Sequence, residues 1–216
     1  PAATEILARV GGIDRLVGRS HECDHPPGID HLPVLTAQRA AYDPQSGVGA
    51  AEVDAQVRAA MDDAGSLYTI DADTLKALAP DVILTQDLCP VCAVDLDAVR
   101  EIAEDIGAGS GSAPEVIALA PETIEGVWDD HLAVGRAVGL EADAAQAVFE
   151  LKSRWITAES FVNPYTEGPI VGFLEWTDPL FVAGHWSAQL IERAGWRHPL
   201  NECVPRQNAG AAAGMQ

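Results

Sequence analysis

Between Glu141 and Val162 the apolar residues Ala144, Val148, Leu151, Trp155, Ala158 and Val162 recur at spacings of four and three. That spacing is one face of an α-helix. Gly139 precedes the stretch, Asn163-Pro164 ends it, and no Gly or Pro interrupts it. The pattern predicts an unbroken helix over 141–162, roughly 33 Å long, with Val148, Leu151 and Trp155 facing protein. Glu141 and Asp143 suit the positive end of its dipole. A helix of this length either lies along one core or braces two lobes. Strand and helix patterns on both sides of it favour the brace.

The remaining chain alternates short apolar runs with amphipathic ones. Helices are predicted over 2–10, 51–64, 71–79, 96–106 (closed by Gly107), 123–138 and 187–194. Strands are predicted at Leu16–Ser20, Asp81–Gln86, Val116–Leu119 and Pro169–Leu174. Residues 35–48 read as loop, and Val204–Gln216 as a loose tail. Alternation with short connectors argues for parallel βαβ units with helices on both faces. In such sheets ligands sit at the C-terminal ends of strands. Two polar loops fall there: His21-Glu22-Cys23-Asp24-His25 and Asp87-Leu88-Cys89-Pro90-Val91-Cys92. Both are expected side by side on one rim.

Composition narrows the classes of partner. The formal net charge is −20, from 33 acidic and 13 basic residues, and lysine occurs only at Lys76 and Lys152. Nucleic acid and anionic membrane surfaces would be repelled, and so acidic a surface suits high salt. At 48% hydrophobic residues the chain can bury a sizeable core, yet no run of 18 apolar residues exists to span a membrane. Pro1 opens directly into a helical pattern, so no signal peptide is expected within the sequence.

The ordered motifs Pro1-Ala-Ala-Thr-Glu-Ile-Leu7, Leu16-Val-Gly-Arg-Ser-His-Glu-Cys-Asp-His-Pro26, Leu78-Ala-Pro-Asp-Val-Ile83, Gly172-Phe-Leu-Glu-Trp176, Gly184-His-Trp186 and Leu190-Ile191 with Gly195 follow one pattern. It resembles the solute-binding proteins of ABC importers, in the long-helix class that holds cobalamin, siderophore and haem binders, and most of all the cobalamin-binding branch. The resemblance runs from Pro1 to about Trp196. It implies an α/β fold of two Rossmann-like lobes joined by one long helix: a first lobe over 1–139, the helix over 140–163, and a partial second lobe with a tail over 164–216. Two departures stand out. The family places a strand before the Pro-x-Ala-Thr-Glu helix, and its second lobe continues further, so the second lobe here is expected to be truncated.

By resemblance the ligand, a corrinoid or other metal chelate, lies between the lobes. His21, Glu22, Cys23, Asp87 and Cys89 face it from one side, and Glu175, Trp176, His185 and Trp186 from the other. Indoles give a macrocycle flat apolar walls, although Trp176 reads equally well as core. Trp128 and Trp155 read as core, and Trp196 either way. His21, Cys23, Cys89 and Cys92 form a set rich in soft metal ligands. A Cys89–Cys92 or Cys23–Cys89 disulfide accounts for the thiols as well, since no second C-x-x-C completes a zinc site. The resemblance further implies an ABC permease partner, met by Asp73 on the first lobe and Glu192 on the second, an extracytoplasmic location and no required cofactor.

Other classes compete. His21, Glu22 and Asp24 carry acid/base groups and Cys89 a nucleophile, but no nucleophile elbow, P-loop or Gly-x-Gly-x-x-Gly accompanies them. Binding without catalysis is therefore expected. An intracellular metal- or thiol-redox sensor using the His21/Cys23/Cys89/Cys92 set is the alternative.

Overall fold

The computed structural model describes residues 1–39, 47–64, 66–88, 93–163 and 165–203. Helix α1 (Ala2–Arg9) leads through a 3₁₀ turn, Ile13–Arg15, into an extended run at Leu16–Ser20. Strand β1 (Thr36–Gln38) follows, then α2 (Ala50–Ala64), β2 (Tyr68–Ile70), α3 (Ala72–Leu78), β3 (Val82–Gln86), α4 (Leu96–Ser110), β4 (Glu115–Leu119), α5 (Ile124–Ala137) and α6 (Glu141–Glu159). Strands β5 (Leu174–Thr177) and β6 (Leu180–Val182) and helix α7 (Trp186–Arg193) complete the described elements. The chain is a mixed helix and sheet protein.

β3 and β4 pair in parallel, from Val82 opposite Glu115 to Gln86 opposite Leu119. β1 and β2 pair antiparallel, as do β5 and β6. Isolated parallel bridges tie Arg19 to Val34 and Ile170 to Arg197.

Several boundaries differ from the sequence reading. Leu16–Ser20 is extended but bridges at Arg19 alone, because its other edge has no neighbour among the described residues. β1 occupies part of the stretch read as loop, since polar Thr36 and Gln38 pair at an exposed edge. α4 runs through Gly107, which packs against Ala113, and ends instead where Gly111 takes a left-handed φ of 86°. Pro169–Leu174 makes one bridge and becomes a strand only at Leu174. The hairpin turning at Asp178-Pro179 escaped the sequence reading. The tail from Val204 and the Cys89–Cys92 stretch lie outside the described residues.

The core gathers Ile6, Leu7, Val10, Leu119, Val134 and Ala144, all buried, with Leu84 and Ile117 packed against them. α1 and α5 thus cover one face of β3–β4, and α6 packs on α5. α6 is unbroken but stops at Glu159, and Phe161 and Val162 continue in turns bonded to Ala158 and Glu159. Its first half is buried at Ala144, Ala147 and Val148. Trp155 meets Trp128 of α5 edge-on at 6.1 Å, and the Lys152 ammonium lies 4.9 Å from the Trp128 ring. Both indoles therefore pack between helices, as expected. Phe149 and Ile156, on the opposite face, are 65% exposed.

Beside this core, Asp130 on α5 is half-buried next to Asp129, and burial first, then the neighbouring charge, pushes its carboxyl up to about 6. A raised folded value stabilises below the unfolded value, near 3.8, and that contribution is lost as pH rises through about 6. Asp130→Asn mimics the neutral form. It should raise stability by about 1 kcal/mol at pH 7.5, after allowing for solvent screening, and change nothing at pH 4. Urea midpoints at the two pH values test this. Adjacent His131 is held below its usual value by burial, so its contribution has the opposite slope and fades as pH falls below about 6.5. The substitution leaves that acid limb in place.

Candidate functional site

The Leu16–Ser20 run delivers His21 and Glu22 to the mouth of an open cavity of about 650 Å³. Arg19 shapes the turn, its guanidinium donating to the carbonyl oxygens of Ser20 and Cys23 at 3.4 and 3.1 Å. His21 binds Thr36 twice: its backbone N–H reaches the Thr36 hydroxyl at 3.1 Å and its Nδ1 at 2.7 Å. With the Thr36 hydroxyl donating to Ser20 Oγ at 3.1 Å, Nδ1 carries the proton. The His21 Nε2 lies 3.4 Å from Glu22 Oε1. The Tyr68 ring lies beside the imidazole, tilted by 45° with centroids 5.6 Å apart. The arrangement fixes one imidazole with a carboxylate beside it on a partly apolar rim, suited to orienting a ligand or donating to a metal centre within one.

The other predicted residues divide. Asp87 is exposed beyond the end of β3, where its N–H donates to Leu119 O at 2.9 Å. Cys23 is a buried free thiol, 3% exposed, with Sγ 3.1 Å from Thr4 Oγ1. It anchors the loop to α1 at the wall of the cavity, with little of its surface open to a ligand. A thiol buried in this way gives the thiol-sensor alternative no support. Cys89 and Cys92 lie outside the described residues, and no cluster of three or more His, Cys, Asp or Glu side chains forms a metal site among those described. His25 is exposed.

The second group sits on the β5–β6 hairpin and α7. Glu175 Oε1 accepts the Gly184 N–H at 2.9 Å, which braces the loop before α7. Trp176, opposite Phe181 in the hairpin, is half-buried and spends its indole N–H on Asp178 O at 3.0 Å. That role is closer to hairpin packing than to an open wall. His185 caps α7 with a positive φ of 50°, unusual for a residue with a side chain. Its ring lies 5.9 Å from Trp186, and its Nε2 is buried without a partner. A strained backbone and an unpartnered polar atom often coincide at functional positions. Asp73 is exposed on α3, whereas Glu192 is half-buried and accepts the Cys203 N–H at 2.6 Å.

α7 docks on the chain that leaves β4. Gln189 Oε1 accepts the Ile124 N–H at 2.8 Å and Arg193 pairs with Glu159 at 2.7 Å. Helix α7 therefore stands at the C-terminal edge of β3–β4, the same edge as Asp87. Neither the 650 Å³ cavity nor a second one of about 510 Å³, between the end of α6 and α7, contains residues of both groups. Sequence reasoning missed Thr36 and Tyr68, which support His21, and His198. His198 is 1% exposed and bonds Val171 O at 2.9 Å, and only its place in the packed chain reveals this.

Comparison with solved structures places this architecture. The periplasmic vitamin B12 binding protein BtuF of Vibrio cholerae matches over 95% of this chain, with a TM-score of 0.59 and 17% identity. The periplasmic heme binding protein HutB of Vibrio cholerae matches over 96%, at 0.62 and 16%. A possible iron-binding, periplasmic solute-binding protein from Staphylococcus epidermidis matches over 92%, at 0.62 and 18%. The chain has the fold of a periplasmic solute-binding protein. It spans 65%, 65% and 64% of the lengths of those three structures. No protein-family model matches the sequence, and no curated protein matches it significantly.

Proposed function

We propose that the chain is the ligand-capturing component of an ABC importer, working outside the cytoplasm and without catalysis. The observation that carries this is the match over more than nine-tenths of the chain to proteins described as binding vitamin B12, heme or iron. The ligand read from the residues is a corrinoid or another metal chelate, taken between two lobes braced by α6. His21, Glu22 and Asp87 contribute from one side, and Glu175, Trp176, His185 and Trp186 from the other.

The test is a panel of cyanocobalamin, haemin and ferric siderophores, read by thermal shift and by the ligand's visible spectrum. A ligand at about 100 times its Kd stabilises the native state by about 2.7 kcal/mol, a shift of roughly 5–10 °C here. His185→Ala with Trp186→Ala should abolish the shift. A panel that leaves the midpoint unmoved removes the metal-chelate assignment.

Permease docking is assigned to Asp73, exposed on α3, and to Glu192, half-buried with one carboxylate oxygen taken by the Cys203 N–H, one acid on each side of α6. Asp73→Ala and Glu192→Ala should each weaken permease binding more than acid-to-Ala changes at Glu101 and Glu141, which sit on exposed helix surface. Equal losses from the controls would leave only bulk charge.

A further inference from the structure

Helix α6 carries two apolar stripes, and only one of them is used by the core. At about 100° per residue, Ala144, Val148, Leu151 and Trp155 point toward the protein. Ala142, Ala145, Phe149, Ser153 and Ile156 point nearly the opposite way. Phe149 and Ile156 are the large members of this outward stripe, and small residues flank them. A solvated helix face is normally polar or charged. Two large apolar side chains seven positions apart have the spacing of a helix that packs on another helix.

The polar atoms along this stripe are already satisfied. Ser153 donates to the Phe149 carbonyl oxygen at 2.8 Å, Thr157 to that of Ser153 at 2.8 Å and Ser160 to that of Thr157 at 2.6 Å. Gln146 spends an amide N–H on Glu150 Oε1 at 2.9 Å. Hydroxyls bonded back to their own helix can leave water at little cost. Lys152, on one flank, is drawn toward Trp128 of α5, which leaves the stripe uncovered.

Symmetry and charge then select the partner. Glu150 and Arg154 stand on the other flank, and neither takes part in an ion pair among the described residues. A twofold axis crossing α6 at right angles between Lys152 and Ser153 reverses the helix direction. Phe149 and Ile156 lie equally far on either side of that axis. Phe149 of one copy therefore meets Ile156 of the second copy, twice. The same rotation sets each flank against its own counterpart. Glu150 of one copy then faces Arg154 of the second, offset along the axis by only about 1.5 Å, one residue rise, and this pair also occurs twice.

We propose that the outward face of α6 is a homodimer interface, in which two copies pack antiparallel through Phe149 and Ile156 and through reciprocal Glu150–Arg154 pairs. None of these residues lines the 650 Å³ cavity beside His21, and the inference holds whatever ligand the chain captures. The charge of −20 on each copy opposes association. Salt screens that long-range repulsion, so the dimer tightens as salt rises.

The test is sedimentation equilibrium of the full chain, up to about 0.1 mM, in about 0.3 M and about 2 M NaCl. The parent should dimerise at both salt concentrations, more tightly at the higher. Phe149→Ser should weaken association by about tenfold or more at both. The charge variants are read at the lower salt. Glu150→Arg raises the net charge of each copy by two and Arg154→Glu lowers it by two, so bulk repulsion alone makes the first bind more tightly and the second less. The reciprocal pairs instead require both to weaken association by about tenfold. They also require the double variant, back at −20, to recover to within about threefold of the parent. All three positions are on exposed helix surface, and far-UV circular dichroism checks that each variant folds. A monomer at both salt concentrations overturns the inference, as do assemblies larger than a dimer. So does association that survives Phe149→Ser, which runs through another face. A Glu150→Arg chain that binds more tightly than the parent, or a double variant that fails to recover, overturns it as well.

Discussion

Replacing Gly135 by alanine should lower the thermal midpoint by roughly 5–10 °C, a loss of about 2–3 kcal/mol. Glycine inside a helix normally costs about 1 kcal/mol against alanine, so propensity alone predicts the opposite sign. The difference is the crossing of α5 and α6. A Cβ on Gly135 would overlap the Ala144 Cβ and stand 3.1 Å from the Leu140 carbonyl oxygen. Ala144 is fully buried, and both obstacles are backbone or adjacent to it, so no side-chain rotation relieves the clash. The helices must separate, which loosens Val134 and Val148 nearby. Adding Ala144→Gly to the variant should recover part of the loss, in a double-mutant cycle with positive coupling. A Gly135→Ala chain that melts at or above the parent would show that α5 and α6 do not approach so closely.

The second large effect is ionic. Raising NaCl from about 0.05 M to 2 M should raise the midpoint by roughly 10 °C, because salt shortens the screening length from over 10 Å to about 2 Å and suppresses self-repulsion. The net charge of −20 supplies the repulsion. The ion pairs described, among them Lys76 with Asp105 and Arg197 with Glu167, are exposed, so screening them costs little. Near pH 4.4, the sequence pI, the salt dependence should nearly vanish. An equal salt shift at pH 4.4 and pH 7.5 would assign it to preferential exclusion of salt and not to charge.

Most helices were legible because each carries local signals. Asp71, Asp95 and Thr123 sit one residue before their helices and accept backbone N–H groups there. α6 was readable from its spacing, yet its end was misplaced by three residues. Ala158 and Val162 continue the apolar period, but the turn at Phe161 breaks the geometry first. Strands were harder. Leu16–Ser20 has strand composition, but a strand is defined by its partners, and the run has one bridge. The β5–β6 hairpin was missed because Asp-Pro marks a turn without saying that both flanks pair.

The candidate site shows the same division. That His21, Glu22 and Asp87 stand at strand ends followed from local order along the chain. That Cys23 turns inward to Thr4, that Trp176 spends its N–H on its own hairpin, and that Glu192 is held by Cys203 did not. By itself the sequence determined the helices, their caps, the excess of negative charge and the loops that carry polar chemistry, because these depend on neighbours a few residues apart or on composition. Only the tertiary structure decided which side chains face the rim and where α5 and α6 touch at Gly135. Those outcomes depend on surfaces brought together from distant parts of the chain, and residue order records no such distances.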